Sequence, residues 1–308
     1  MFDSNARAAA IALILLGLTW PRPAWAGAWT LQQGQLWVKQ SFSYWQTTER
    51  FASTDDRALN FPERGPVQPG DRIPFDPTTG GAFEAISSTT EVQCALLDEL
   101  QLGVRVPLLR ADFSETESPD TVDATFGFGD LWLSMQGALP FGRFVVSSRV
   151  DLKLPVGDFE PSIFAAPLTE GQVDINVAAL VGVSLHPYGY ANAEAGWRVR
   201  LQNSENQRDP GDEFRFALEA GAFLPADLML KVLFDGVVGF EGEDRFANPS
   251  TVLPRRRLYS MWFGLIWSPT DRLSVEGDLR WLIAGEDFPA GVQPWLGVSY
   301  RFDLFSPR

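Results

Sequence analysis

The chain has one cysteine and one histidine in 308 residues. A lone Cys94 excludes an internal disulfide framework, and a lone His186 leaves no His/Cys cluster for a metal. Long apolar runs are missing too. After residue 26 no stretch reaches the ~18 apolar residues that a spanning helix needs, and mean hydropathy is -0.06. Basic residues are in deficit, with 25 Lys and Arg against 39 Asp and Glu and a net charge of -14. That balance argues against nucleic acid as a partner. Catalytic signatures fail as well, since neither G-x-S-x-G nor H-E-x-x-H occurs. Asp209-Pro210-Gly211-Asp212 reads as a turn rather than a calcium loop. His186 precedes Pro187 in a predicted turn, with no nucleophile beside it. The chain reads as no enzyme, and no cofactor or metal is expected.

What is present begins with a leader. Ile11 to Leu18 form an apolar run, Arg7 precedes it, and Ala24-Trp25-Ala26 has the A-x-A pattern of a cleavage site. Residues 1–26 are therefore expected to be a cleaved signal peptide, which leaves residues 27–308 as one mature domain. The other reading of the run is an N-terminal anchor, for which it is short. No cysteine near the site suggests a lipoprotein.

From Leu36 to Phe302 about twelve segments alternate with period two. The apolar face of each carries no charged side chain. The fifth is the clearest: Phe144, Val146, Val150, Leu152 and Leu154 share one face, and Ser147, Arg149, Asp151 and Lys153 the other. The tenth, Tyr259 to Trp267, is the least decisive, because Trp262 and Ile266 fall on its polar face. A closed barrel bathed in lipid needs an uncharged outside, and about ten residues suffice for a tilted strand to cross. The expected fold is all-β: a single transmembrane antiparallel up-and-down barrel of about 12 strands.

The opposite faces then line the lumen. They carry Lys39, Arg105, Arg149, Lys153, Arg198, Arg200, Arg215, Lys231, Arg280 and Arg301. Against these stand Glu91, Asp130, Asp151, Asp174, Glu194, Glu219, Asp235, Glu276 and Asp278. The signs nearly cancel, and half-buried charges are tolerable when paired. Such an interior is a polar pore, a salt-bridged plug, or a set of pairs that hold the barrel together.

Connections alternate in length, with short ones such as Leu97-Asp98-Glu99 and long ones such as Gln46 to Ser88. Short periplasmic turns and longer external loops are the rule in outer-membrane barrels, and an even strand count puts both termini in the periplasm. The long loops hold the excess negative charge. Asp112, Glu115, Glu117, Asp120 and Asp123 crowd the second, a surface for divalent cations that bridge lipopolysaccharide, or one that favours cations at the mouth. The first loop is Pro/Gly-rich and long enough to fold into the lumen. Aromatics are expected at both rims: Tyr44, Trp45, Phe214, Phe240, Tyr259 and Trp281 outside, and Phe141, Phe144, Tyr188, Tyr190, Trp267 and Phe302 inside.

Gly127-Phe128-Gly129-Asp130-Leu131-Trp132-Leu133 resembles the G-x-G-D-hydrophobic strand start of a family of outer-membrane barrels. That family is associated with meta-pathway degradation of phenol and related aromatics and is described as transporters. Leu154-Pro155-Val156-Gly157-Asp158 is similar to its L-P-x-G-D strand exit, and Gly27-Ala28-Trp29-Thr30-Leu31 before a Lys-bearing strand is similar too. The resemblance implies passage of small hydrophobic or aromatic compounds across the outer membrane. It carries over no ligand residue, because the motifs look structural. One departure is the C-terminus: outer-membrane barrels usually end on an aromatic that signals insertion to the assembly machinery, and here Ser306-Pro307-Arg308 follow Phe305.

The sequence thus points to a passive channel for an unknown small-molecule solute in a Gram-negative outer membrane. Its partners would be outer-membrane lipid, lipopolysaccharide and the barrel-assembly machinery. A sealed structural or surface-interaction barrel is the alternative, and a barrel enzyme a more distant one.

Overall fold

The computed structural model describes residues 27–53, 55–58, 60–61, 65–74, 82–114, 125–157, 168–169, 171–202, 208–244, 251–253, 256–286 and 288–304. The expected signal peptide, most of the acidic second loop and the C-terminal Phe305 to Arg308 lie outside these residues.

Twelve antiparallel strands close on themselves. They are β1 (Gln35–Thr47), β2 (Ala82–Leu97), β3 (Leu100–Ser114), β4 (Leu131–Phe141), β5 (Phe144–Leu154) and β6 (Asp174–Ser184). The others are β7 (Gly189–Arg200), β8 (Glu213–Leu224), β9 (Leu228–Gly239), β10 (Arg257–Trp267), β11 (Leu273–Glu286) and β12 (Gly291–Asp303). Each pairs with its neighbours in sequence. β1 closes the ring by pairing with β12, Leu36 opposite Phe302, as well as with β2. Closure leaves no strand edge unpaired, the condition for a sheet to sit in hydrocarbon.

The outer surface is apolar as the alternation requires. On β6, Ile175, Val177 and Val181 are exposed, while Asp174, Asn176, Ala178 and Leu180 between them are buried. Exposure of Val177, Leu218 and Leu296 exceeds half of their full surface. For a water-soluble protein this belt would be costly, since monomers rarely leave large contiguous apolar surface in water. Facing lipid it costs nothing.

Two departures from strict alternation have local causes. On β11 the register slips: Ser260 faces Leu282 and Tyr259 faces Ala284, so Ile283 is a bulged residue. Ile283 and Ala284 are both exposed as a result. The second lies at β3 and β4. β4 pairs with β3 only from Leu100 to Arg105, and above that Thr125–Phe128 takes over, pairing with Leu108 to Ala111. Pro107 lies at the break and has no N–H for the ladder; its carbonyl accepts from Gly129 N at 2.9 Å. The G-x-G-D motif is therefore a strand, a break at Gly129-Asp130, and a second strand. The L-P-x-G motif packs on that break, for a Cβ at Gly157 would lie 1.8 Å from the Phe128 carbonyl oxygen. β3 also runs to Ser114, further than the alternation alone suggests.

An arginine placed in the lipid-facing belt should be expensive. Val177→Arg is expected to cost about 2–4 kcal/mol if this residue lies near the bilayer midplane. Equilibrium unfolding of the protein folded into lipid vesicles measures it. A cost below about 1 kcal/mol would show that Val177 does not face hydrocarbon.

Candidate functional site

Inward-facing charges are the side chains a soluble core would not tolerate, and here they are organised. A chain of ion pairs crosses five neighbouring strands or their ends. Asp130 meets Lys153 at 3.2 Å, and Lys153 meets Asp174 at 3.0 Å. Asp174 lies 3.9 Å from Arg200, which pairs with Glu213 at 3.1 Å, and Glu213 pairs with Arg198 at 3.0 Å. Strand register makes this chain. Lys153 faces Asp174 directly, Asp174 faces Arg200, and Arg198 faces Glu213. Lys153, Asp174 and Arg200 are almost wholly buried.

Lower in the lumen the pairing continues. Arg149 holds both Asp151 and Glu194, and Asn176 donates to Asp151 at 2.7 Å. Lys39 pairs with Glu276, and Lys231 with Asp278 at 3.0 Å. Glu219 accepts from the Tyr190 hydroxyl at 2.8 Å. Asp235 accepts from Ser260 and from Trp262 Nε1, and lies 3.5 Å from Arg280. Arg301 sits apart at the end of the barrel with the short turns, donating to the Asp271 carbonyl at 2.5 Å.

Arg105, Arg215 and Glu91, also expected in the lumen, stand outside this ion pairing, and Glu91 accepts from Gln93. Among the described residues, Arg105 and Arg215 have no carboxylate within ion-pair distance. Both line a cavity of about 460 Å³ within the barrel.

The floor of that chamber was not foreseen. Gly27 to Gln33, ahead of β1, folds back into the lumen. Gln136 donates to the Gly27 carbonyl at 2.9 Å, and Ser147 to the Ala28 carbonyl. Leu31 N donates to Gln101 Oε1 at 3.0 Å, and Gln33 N to Asp98 at 2.7 Å. Ala28 packs with Ala138, Val145, Ala178 and Leu180. Trp29 lies over Gly182, where a Cβ would sit 2.4 Å from its ring, and edge-on to Tyr190 at 6.1 Å. Small inward residues on β4 to β6 thus leave room for a plug, and inward amide and hydroxyl groups satisfy its backbone.

At the opposite end of the barrel the described part of the first loop packs against inward-facing residues. Phe51 is buried against Leu258, Leu282 and Ala290. Glu49–Phe51 pairs with Arg72–Pro74 on one side and Phe288–Pro289 on the other. Arg50 grips Asp56 through two hydrogen bonds of 2.7 and 2.6 Å. Those bonds hold the Asp56 carboxyl below the usual carboxylate range, against the opposing effect of its burial. The clamp is therefore at full strength above about pH 5 and weakens only as pH falls through the lowered value.

Tryptophan placement corrects the rim assignment in part. Trp197, Trp267 and Trp281 are exposed on the outside. Trp45 instead packs with Phe51, and Tyr190 is buried beside Met229 and Ile266. Trp29, Trp37 and Trp132 line the chamber, and Trp262 faces Trp295 at 5.6 Å. Alternation assigns Trp132 inward, between Asp130 and Ser134. No local pattern marks the plug, whereas Glu213 falls in phase with Arg215 and Glu219 on the inward face of β8. His186 lies in the turn between β6 and β7 and lines no part of the chamber.

The ion-pair chain makes Lys153 a sensitive position. Lys153→Met should destabilise the barrel by about 3–5 kcal/mol, because Asp174 stays buried without its closest cation. Adding Asp174→Asn should recover part of that loss. Guanidinium unfolding in detergent micelles measures both; a neutral Lys153→Met would show that the chain contributes nothing.

No family model and no curated protein matches the sequence. Solved structures do match in shape. The crystal structure of an outer-membrane channel from Pseudomonas putida F1 is similar over 91% of this chain and 99% of its own, with TM-score 0.67 and 15% identity. A deletion mutant of the TodX monoaromatic hydrocarbon channel is similar over 94% of each chain, with TM-score 0.50 and 8% identity. At such identities the likeness concerns the fold. Together with the uncharged outer belt, it shows the chain to be a β-barrel of the outer membrane, built like channels of that membrane.

Proposed function

We propose that the protein is an outer-membrane channel for passive passage of small molecules, aromatic compounds among them. The observation that carries this reading is the chamber of about 460 Å³ inside a lipid-fitted barrel. A structural barrel has no need of a cavity the size of a small-molecule pocket. The tryptophans that turn inward instead of anchoring the rims give the path an aromatic lining, which favours solutes with a π-face. The phenol-degradation resemblance and the hydrocarbon channel among the similar structures point the same way.

The exposed aromatics that remain at the strand ends, Phe141, Phe144, Tyr188, Trp267 and Phe302 at one and Tyr44, Phe240 and Trp281 at the other, form the membrane girdle in this reading. Lipid and lipopolysaccharide of a Gram-negative outer membrane are the surrounding partners, and the leader directs the chain to that envelope.

A sealed barrel is the competing reading, favoured by the plug at one end and the packed loop at the other. Liposome swelling separates the two. Vesicles carrying the protein are expected to swell in arabinose and to resist a trisaccharide, as a narrow path requires. Absence of swelling in every solute would favour the sealed barrel.

A further inference from the structure

Among the described residues, the inward-facing arginines are paired with carboxylates except Arg301, which donates to a backbone carbonyl at the strand end, and two that stand at one place. Arg105 on β3 and Arg215 on β8 both open into the chamber, and among the described residues neither guanidinium makes an ion pair or a hydrogen bond. Arg105 lies within electrostatic range of Glu91, Asp151, Arg198 and Arg149, and Arg215 of Arg198, Glu213, Arg105 and Glu194. A guanidinium presents five donors and stays charged. Leaving two of them unmatched inside a barrel that pairs nearly everything else calls for a reason.

The neighbouring carboxylates are already engaged. Asp151 and Glu194 are held by Arg149, and Glu213 by Arg198 and Arg200. Glu91 faces Arg105 across the β2–β3 register, yet its oxygen accepts from Gln93 at 2.7 Å. The charges lining the chamber balance, since Arg149 holds two carboxylates, but the donors of Arg105 and Arg215 are left without an acceptor among the described residues.

The surroundings are aromatic. Arg105 lies over the Trp132 ring at 5.0 Å from its centroid, and Arg198 over the same ring at 4.8 Å. Trp29 and Trp37 complete the aromatic wall of the same chamber. Stacking of Arg105 on Trp132 fixes the guanidinium plane and leaves its edge donors for a ligand.

We infer that the chamber is a binding site for a small monoanionic aromatic carboxylate. Its carboxylate would take hydrogen bonds from Arg105 and Arg215, filling donors that the barrel leaves open, and its ring would lie against the tryptophans. Bidentate contact to guanidinium is the strong form of carboxylate recognition. This deepens the channel reading and rests on it for the purpose of the site: a stopping point on the path, selective for aromatic acids over neutral hydrocarbons.

Calorimetric titration of the purified full-length protein in detergent tests this, with benzoate, benzyl alcohol and acetate as probes. Benzoate is expected to bind saturably, benzyl alcohol at least about tenfold more weakly for want of a charged hydrogen bond, and acetate about tenfold more weakly for want of the ring contact. Arg105→Gln and Arg215→Gln should each weaken benzoate by a similar factor while retaining heat-modifiable gel mobility, since neither substitution breaks an ion pair. No benzoate binding by the unaltered protein would overturn the inference. So would acetate binding as tightly as benzoate, or both folded variants binding as the original does. Solute swelling of vesicles from the same preparation keeps the two readings apart. Swelling without benzoate binding refutes this site and leaves the channel; benzoate binding without swelling supports the site and refutes the channel.

Discussion

Lipid on one side of a sheet that closes on itself is the constraint from which the rest follows. Backbone groups find partners only across strands, so the sheet has no free edge. Side chains alternate, so every residue barred from the outside must be housed within. On β5 this puts Phe144, Val146, Val150 and Leu152 into lipid and sends Ser147, Arg149, Asp151 and Lys153 inward. The inward set is not optional. Its charges are the cost of register, and the lumen must neutralise them.

Neutralisation is achieved by register as much as by side-chain reach. Lys153, Asp174 and Arg200 fall directly opposite one another on successive strands, so shear of the barrel alone sets the order of signs. Where the inward positions are small, as at Ala138, Ala178 and Gly182, the barrel keeps space, and the segment from Gly27 fills it. Where large charged side chains meet that segment, a chamber remains. Plug, chamber and ion-pair chain are three outcomes of one alternation read on strands of different composition.

This explains what could be read from residues alone. Strand number, closure and most inward charges follow from period two, which is a local signal. β10 was ambiguous because Trp262 and Ile266 face inward without being polar. Their reasons lie elsewhere in the chain: Trp262 donates to Asp235 and stands beside Arg280, and Ile266 packs on Tyr190 and Met229. The plug had no signal at all, since Gly27 to Gln33 carries no strand period and its partners Gln101, Gln136 and Ser147 are 70 to 119 residues away. Pairing within the lumen was similarly hidden. Sequence names the inward charges, while the two left without partners, Arg105 and Arg215, emerge only when all strands are set in register.

If the barrel conducts as proposed, the width of the path is set by its own N-terminal segment. Single-channel current in a planar bilayer tests this most directly, with the full protein compared to one lacking Gly27 to Gln33. The account predicts small openings for the full protein and a several-fold larger conductance without the segment. Equal conductance in the two, or silence in both, would contradict it.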